Sequence, residues 1–271
     1  ISIKNRGRNL RNPFAKDELI ALFSLPAFTG CAGWDRRNPF KPGPHVFHRA
    51  LYFAPILLYY TGARRDEICG LVRDDIYLDA PIPYIHIREN AQRHIKKDQS
   101  ERKIPIHSEV LRLGFAEYVH KIRDLRYALV FPDLHSPTTS SPLGDRLYDE
   151  IAGALAEVVP EEGRRKKVVP EEGRRKKVLH SLRHTVGSSL KGSSIVSEMR
   201  ADLRGHKGKT ATEETYSENA ALKDLRDLIH KLPIVTEHLS RQPIKLVPWV
   251  ARREPAPWGR SARAVAEQKV E

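Results

Sequence analysis

At 271 residues the chain is long enough for one large domain or a domain with appendages, and 47 Lys+Arg against 34 Asp+Glu leave a formal charge of +13, which points to a polyanionic partner. Its two cysteines, Cys31 and Cys69, match neither a disulfide framework nor a zinc-finger spacing, so a secreted disulfide scaffold is set aside and a reducing compartment is expected. The most apolar stretch, Ala50 to Tyr60, is too short to span a bilayer and is interrupted by Pro55, which leaves a buried core helix as its reading.

Residues 1–13 read as a basic linker, after which Phe14, Leu19, Ile20, Leu22 and Phe23 recur at helical spacing behind Asn12-Pro13. The Gly- and Pro-rich stretch 28–46 predicts a loop, followed by the apolar helix over about 47–60, ended by Gly62, and a second short helix from Arg65 to Leu71. Alternation in Tyr84-Ile85-His86-Ile87 and in Arg102-Lys103-Ile104-Pro105-Ile106 predicts a hairpin whose turn runs from Glu89 to Glu101. Val110, Leu111, Phe115, Tyr118, Val119 and Ile122 return to helical spacing, Leu129-Val130-Phe131 is a short apolar run, and Leu147, Ile151, Leu155 and Val158 mark another helix. From Leu179 to about Leu232 the pattern predicts a series of short helices. The expected fold class is mainly α with a small antiparallel β-sheet, an α+β composite.

The ten residues Val158 to Lys167 are repeated without change as Val168 to Lys177, and the basic block 158–177 is expected to be a solvated loop that has undergone tandem duplication. Residues 233–271 are rich in Pro and Arg with no apolar period and predict a largely disordered tail. A chain that opens on Ile1 and holds its one methionine at Met199 is expected to be a fragment or a truncated reading frame, with something missing at the front.

Four islands carry chemistry: Thr61-Gly62-Ala63-Arg64-Arg65-Asp66-Glu67, the lysine-bearing turn Lys96-Lys97 that enters the second strand, His180-Ser181-Leu182-Arg183-His184, and the run from Gly205-His206 to Tyr216. Taken singly, each has a bland reading. Arg64 and Glu67 form an i,i+3 ion pair, His180 and His184 have the spacing of two metal ligands on one helix face, and Tyr216 is one of nine tyrosines.

Taken in order, the islands resemble the phage-integrase family of tyrosine recombinases, whose pattern runs TGxRxxExxxL, a hairpin lysine, HxLRHT, Gly-His and a terminal tyrosine; the resemblance covers about residues 13–232. It implies a tyrosine-recombinase catalytic domain over 14–232. Its active site would be Arg64, Lys96, His180, Arg183, His206 and Tyr216, with Glu67 supporting the first arginine and Lys97 and Arg102 contacting DNA. The implied activity is site-specific cleavage and rejoining of double-stranded DNA, needing no cofactor, neither metal nor ATP. It would be carried out in the cytoplasm on the nucleoid by a homo-oligomer, a tetrameric synapse, with no membrane involved. By the same likeness the segment Leu222 to Leu232 is expected to dock onto a neighbouring protomer. Two features depart from the pattern: His206 to Tyr216 is one residue longer than the commonest spacing, and Arg204 stands where a leucine usually precedes Gly-His. The rival readings are a catalytically weak or inactive DNA-binding remnant and a type IB topoisomerase.

The implied roles make chemical sense. Charge on the non-bridging oxygens grows as a phosphodiester is attacked, and the forked donors of Arg64 and Arg183 match that geometry. The phenol of Tyr216, with an ordinary pKa of about 10, needs a base, for which His180 is the candidate; Lys96 would protonate the leaving 5′ oxygen and His206 would hydrogen-bond the phosphate.

Overall fold

The computed structural model describes residues 13–35, 38–93, 101–135, 142–158, 177–191, 197–205 and 218–257. At its centre is a helix, α3 (Ala50–Thr61), in which every residue is buried. A helix apolar on all sides must be enclosed by others. Around it pack α1 (Lys16–Phe23), α2 (Pro26–Thr29), α4 (Arg65–Cys69), α5 (Ser108–Arg112), α6 (Phe115–Asp124), α7 (Leu143–Val158) and α8 (Leu179–Ser189). The N-terminus of α3 is satisfied from a distance, since the buried carboxylate of Asp133 accepts from the Ala50 N–H at 3.3 and 3.1 Å. Its C-terminus stops at Gly62, whose φ of 64° is the left-handed turn that glycine adopts at no steric cost.

The sheet is antiparallel in the order β1-β2-β3, with β1 (Ile76–Tyr77), β2 (Tyr84–Ile87) and β3 (Arg102–Pro105). Ile85 faces Ile104 and His86 faces Lys103, so the mainly α fold with a small antiparallel sheet stands as expected. The third strand, β1, is two residues long and offers no alternation to read. The stretch 28–46 is more ordered than a plain loop. It holds the end of α2, a 3-10 turn at Asn38–Phe40, and bridges from Cys31 to Pro42 and His45. The apolar spacing over 110–122 proves to be two helices, because Gly114 at φ 90° turns the chain between α5 and α6.

One expectation is corrected. The segment expected to be a disordered tail is built into the core as far as residue 257: Val235, Leu239, Val247, Trp249 and Val250 are buried, and the chain there forms α11 (Pro248–Ala251). It is zipped down by polar bonds, Tyr59 Oη donating to Pro233 O at 2.8 Å, Arg112 Nη1 to Leu239 O at 2.8 Å, and the His48 N–H to Lys245 O at 2.7 Å. Its apolar residues are spaced to suit a path over the surface of the helices and show no period of their own. The segment Leu222 to Leu232 packs against the rest of the chain. The helix α10 (Glu218–Ile229) lies on β3 with Leu225, Leu228 and Ile229 buried. No described helix is long and apolar enough to cross a membrane.

The helix α8 is anchored just ahead of its first turn and at its middle. Thr185 Oγ1 accepts from the Phe14 N–H at 2.8 Å, and Lys177, last residue of the duplicated block, reaches Glu18 Oε1 at 2.6 Å. The rest of the duplicated block, apart from Val158, lies outside the described residues.

Candidate active site

The turn from α3 into α4 places the first arginine. Arg64 itself has extended backbone and stands immediately before α4. Glu67, third residue of that helix, accepts from the Arg64 N–H through Oε2 at 2.7 Å and from Arg64 Nη1 through Oε1 at 2.6 Å. One carboxylate therefore caps the helix and holds the guanidinium. Arg64 keeps 29% of its side chain exposed while that of Glu67 is 6% exposed, so the acid is the buried anchor and the cation faces outward from it.

Glu67 has a second partner. Arg102 Nη2 donates to Oε2 at 2.7 Å and Nη1 to Oε1 at 3.3 Å, while Arg102 Nε donates to Leu203 O at 3.0 Å. Burial pushes the Glu67 carboxyl up, but the hydrogen bonds and charge of Arg102, joined by the hydrogen bonds from Arg64, overcome it and hold the group at about 2. Arg102, expected to contact DNA, thus turns inward and ties β3 to Glu67 and to α9 (Ser197–Leu203). Sequence alternation carries the signal: Arg102 is two residues from buried Ile104 and shares its face of the strand.

A second buried network backs α4. Arg93 Nη1 donates to Glu67 O at 2.9 Å and Nη2 to Asp75 Oδ2 at 3.2 Å, and Asp75 also receives Arg88 Nε at 3.2 Å. Arg93 lies in a polar turn where nothing in the local pattern marks it as buried, and only the fold discloses its role.

The helix α8 supplies the remaining groups. His180, Arg183, His184 and Gly187 fall at i, i+3, i+4 and i+7, one stripe along the helix. The His180 and His184 rings meet at 5.2 Å between centroids, edge to face. Arg183 is 3% exposed; Nη1 donates to Gly62 O at 2.6 Å and Nη2 to Arg204 O. Burial pushes Arg183 down to about 9; Glu67 opposes this, and Arg102, Arg204 and Arg64 add to it. The group remains charged at neutral pH. Its strongest charged neighbours are therefore one carboxylate and three guanidiniums, and residues separated by more than a hundred positions converge on one spot.

The geometry thus brings Arg64, Glu67, Arg102, Arg183 and Arg204 together and sets His180 on the helix that carries Arg183. Lys96, Lys97, His206 and Tyr216 lie outside the described residues. A cationic cluster fixed by a shared carboxylate and by backbone carbonyls can hold a tetrahedral oxyanion without rearranging. Among the described residues no group of His, Cys, Asp and Glu is placed to share a metal ion.

Residues 48–222 match the family model described as the phage integrase family. Among solved structures, the integrase from mycobacterium phage Brujita is similar at 15% identity and a TM-score of 0.49, over 94% of this chain and 67% of that one. The integrase of transposon Tn1549, in complex with transposon right end DNA, shares 16% identity over 83% of this chain and 67% of its own, with a TM-score of 0.44. The XerA recombinase shares 19% identity over 86% and 68%, with a TM-score of 0.40. No curated protein matches the sequence.

Proposed function

The chain belongs to the phage integrase family, and we propose that it cuts and rejoins duplex DNA at specific sites through a 3′-phosphotyrosyl intermediate formed on Tyr216. The observation that carries this reading is that Arg183 is held on the carbonyl of Gly62, two residues before Arg64, which Glu67 anchors, since two guanidiniums fixed close together are what a phosphodiester under attack requires.

In this reading the Tyr216 phenol gives its proton to His180 as its oxygen bonds to phosphorus. The P–O5′ bond breaks, and the departing 5′ oxygen takes a proton from Lys96, with Lys97 beside it on the backbone. Arg64, Arg183 and His206 bind the non-bridging oxygens. The bond energy stays in the phosphotyrosine, so a 5′ hydroxyl can reverse the step without ATP or a metal ion. Double-stranded DNA is the partner, and strand exchange between two duplexes calls for a homo-oligomeric synapse of four protomers.

The test is covalent capture. Duplexes selected from a random library by the protein itself, then nicked beside the cleavage site so that the freed 5′ end diffuses away, should trap a protein–DNA adduct that disappears in Tyr216→Phe. An adduct that survives Tyr216→Phe, or none from folded wild-type protein, refutes the assignment. Salt-sensitive DNA binding without an adduct would identify a non-catalytic DNA-binding protein.

A further inference from the structure

Arg204 follows the last residue of α9, and its place in the site is unexpected on the family pattern, where leucine is usual. Its guanidinium lies against the bare Cα of Gly187 on α8; a Cβ added there would sit 2.8 Å from Nη1 and 3.2 Å from Cζ. Gly187 is one turn beyond Arg183 on the same stripe, and the carbonyl of Arg204 accepts from Arg183 Nη2. Arg204 therefore meets the second arginine through its backbone and lies over the same helix with its side chain.

Its charge, however, is unanswered. The Nε hydrogen is buried with no acceptor, and no carboxylate pairs with the guanidinium among the described residues. Burial and the positive charge of Arg64 both push its pKa down. Holding a cation beside two others without a counterion is costly, and an apolar residue would pack there at less cost. The residue as a whole is only half-buried.

We propose that Arg204 is a third phosphate-binding guanidinium of the site, taking a non-bridging oxygen of the DNA backbone alongside Arg64 and Arg183. The proposal rests on reading the site as one that handles a phosphodiester, and it adds a residue outside the family's motif. Gly187 is its positioning residue, the bare backbone on which the guanidinium rests.

Thermal unfolding of the full chain, titrated with inorganic phosphate at constant ionic strength, tests it. Phosphate should raise Tm in the wild type. Arg204→Leu should weaken apparent phosphate affinity about tenfold, the scale of one charge-assisted hydrogen bond, and should leave Tm without phosphate equal or higher. Gly187→Ala, which keeps every charge but displaces the guanidinium, should weaken affinity in the same direction, whereas Arg241→Leu at an exposed position should not. Equal phosphate affinity in wild type and Arg204→Leu, or a fall in the phosphate-free Tm of that variant, overturns the proposal. Arg204-dependent phosphate binding without a covalent DNA adduct would leave it standing and remove the recombinase reading; an adduct with Arg204-independent phosphate binding would do the reverse.

Discussion

Glu67 is the residue on which the site turns, because a single carboxylate answers both Arg64 and Arg102 while supplying the cap of α4. Glu67→Gln would leave Arg102, 8% exposed, facing a neutral amide, and breaking a buried pair in this way costs about 3 kcal/mol. The folded value of about 2 lies below the ordinary carboxylate value of about 4.3. The stabilisation is therefore whole above about pH 5 and is lost as pH falls toward 2. Urea unfolding of wild type and Glu67→Gln should show a gap near 3 kcal/mol at pH 7 that narrows below about pH 4. A gap that does not change with pH would mean that Glu67 acts through packing alone. The pairing of Arg64 with Glu67 was legible from their spacing, three residues apart on a short helix. The claim of Arg102 on the same carboxylate was not, because it joins residues 35 positions apart across two elements.

Among the elements, the end of α3 does the most to aim the site. Gly62 reverses the chain at φ 64°, lends its carbonyl to Arg183, and packs so closely on α8 that a Cβ would lie 3.0 Å from Val186 Cγ1. Gly62→Ala should lose about 1–2 kcal/mol from left-handed strain, measurable by urea unfolding, with part of the loss recovered in Gly62→Ala/Val186→Ala. No recovery would show the cost to be purely backbone. Helix boundaries were readable where a glycine closes a long apolar run, as at Gly62. They were missed where the period continues through a break, as at Gly114, since two helices meeting at a turn can still present apolar residues at near-helical intervals.

Across the whole molecule, the polypeptide after α10 closes the core. Tyr60 Oη bonds Thr236 Oγ1 at 2.8 Å and Thr236 bonds Glu109 Oε2 at 2.8 Å, a buried relay from α3 through the C-terminal segment to α5. A chain ending at residue 232 would leave that relay open and would lose the burial of Val235, Leu239, Val247, Trp249 and Val250. At about 1.5 kcal/mol or more for each side chain, the loss rivals the total stability of a domain. Such a chain should show no cooperative thermal transition, whereas one ending at residue 257 should melt as the full protein does. A cooperative transition in the shorter chain would show that the segment is an appendage.

From the order of residues alone came the family, the helical class with its hairpin, and the pairing of Arg64 with Glu67, because motif spacing and hydrophobic period are local properties of the chain. Tertiary structure alone decided that Arg102 claims Glu67, that Arg93 and Asp75 brace α4, that α10 lies on β3 and the C-terminal segment on the core, and that Arg204 joins the cationic cluster over Gly187. Each of those depends on which distant surface a side chain meets, and desolvation and charge pairing across such contacts leave no period in the sequence.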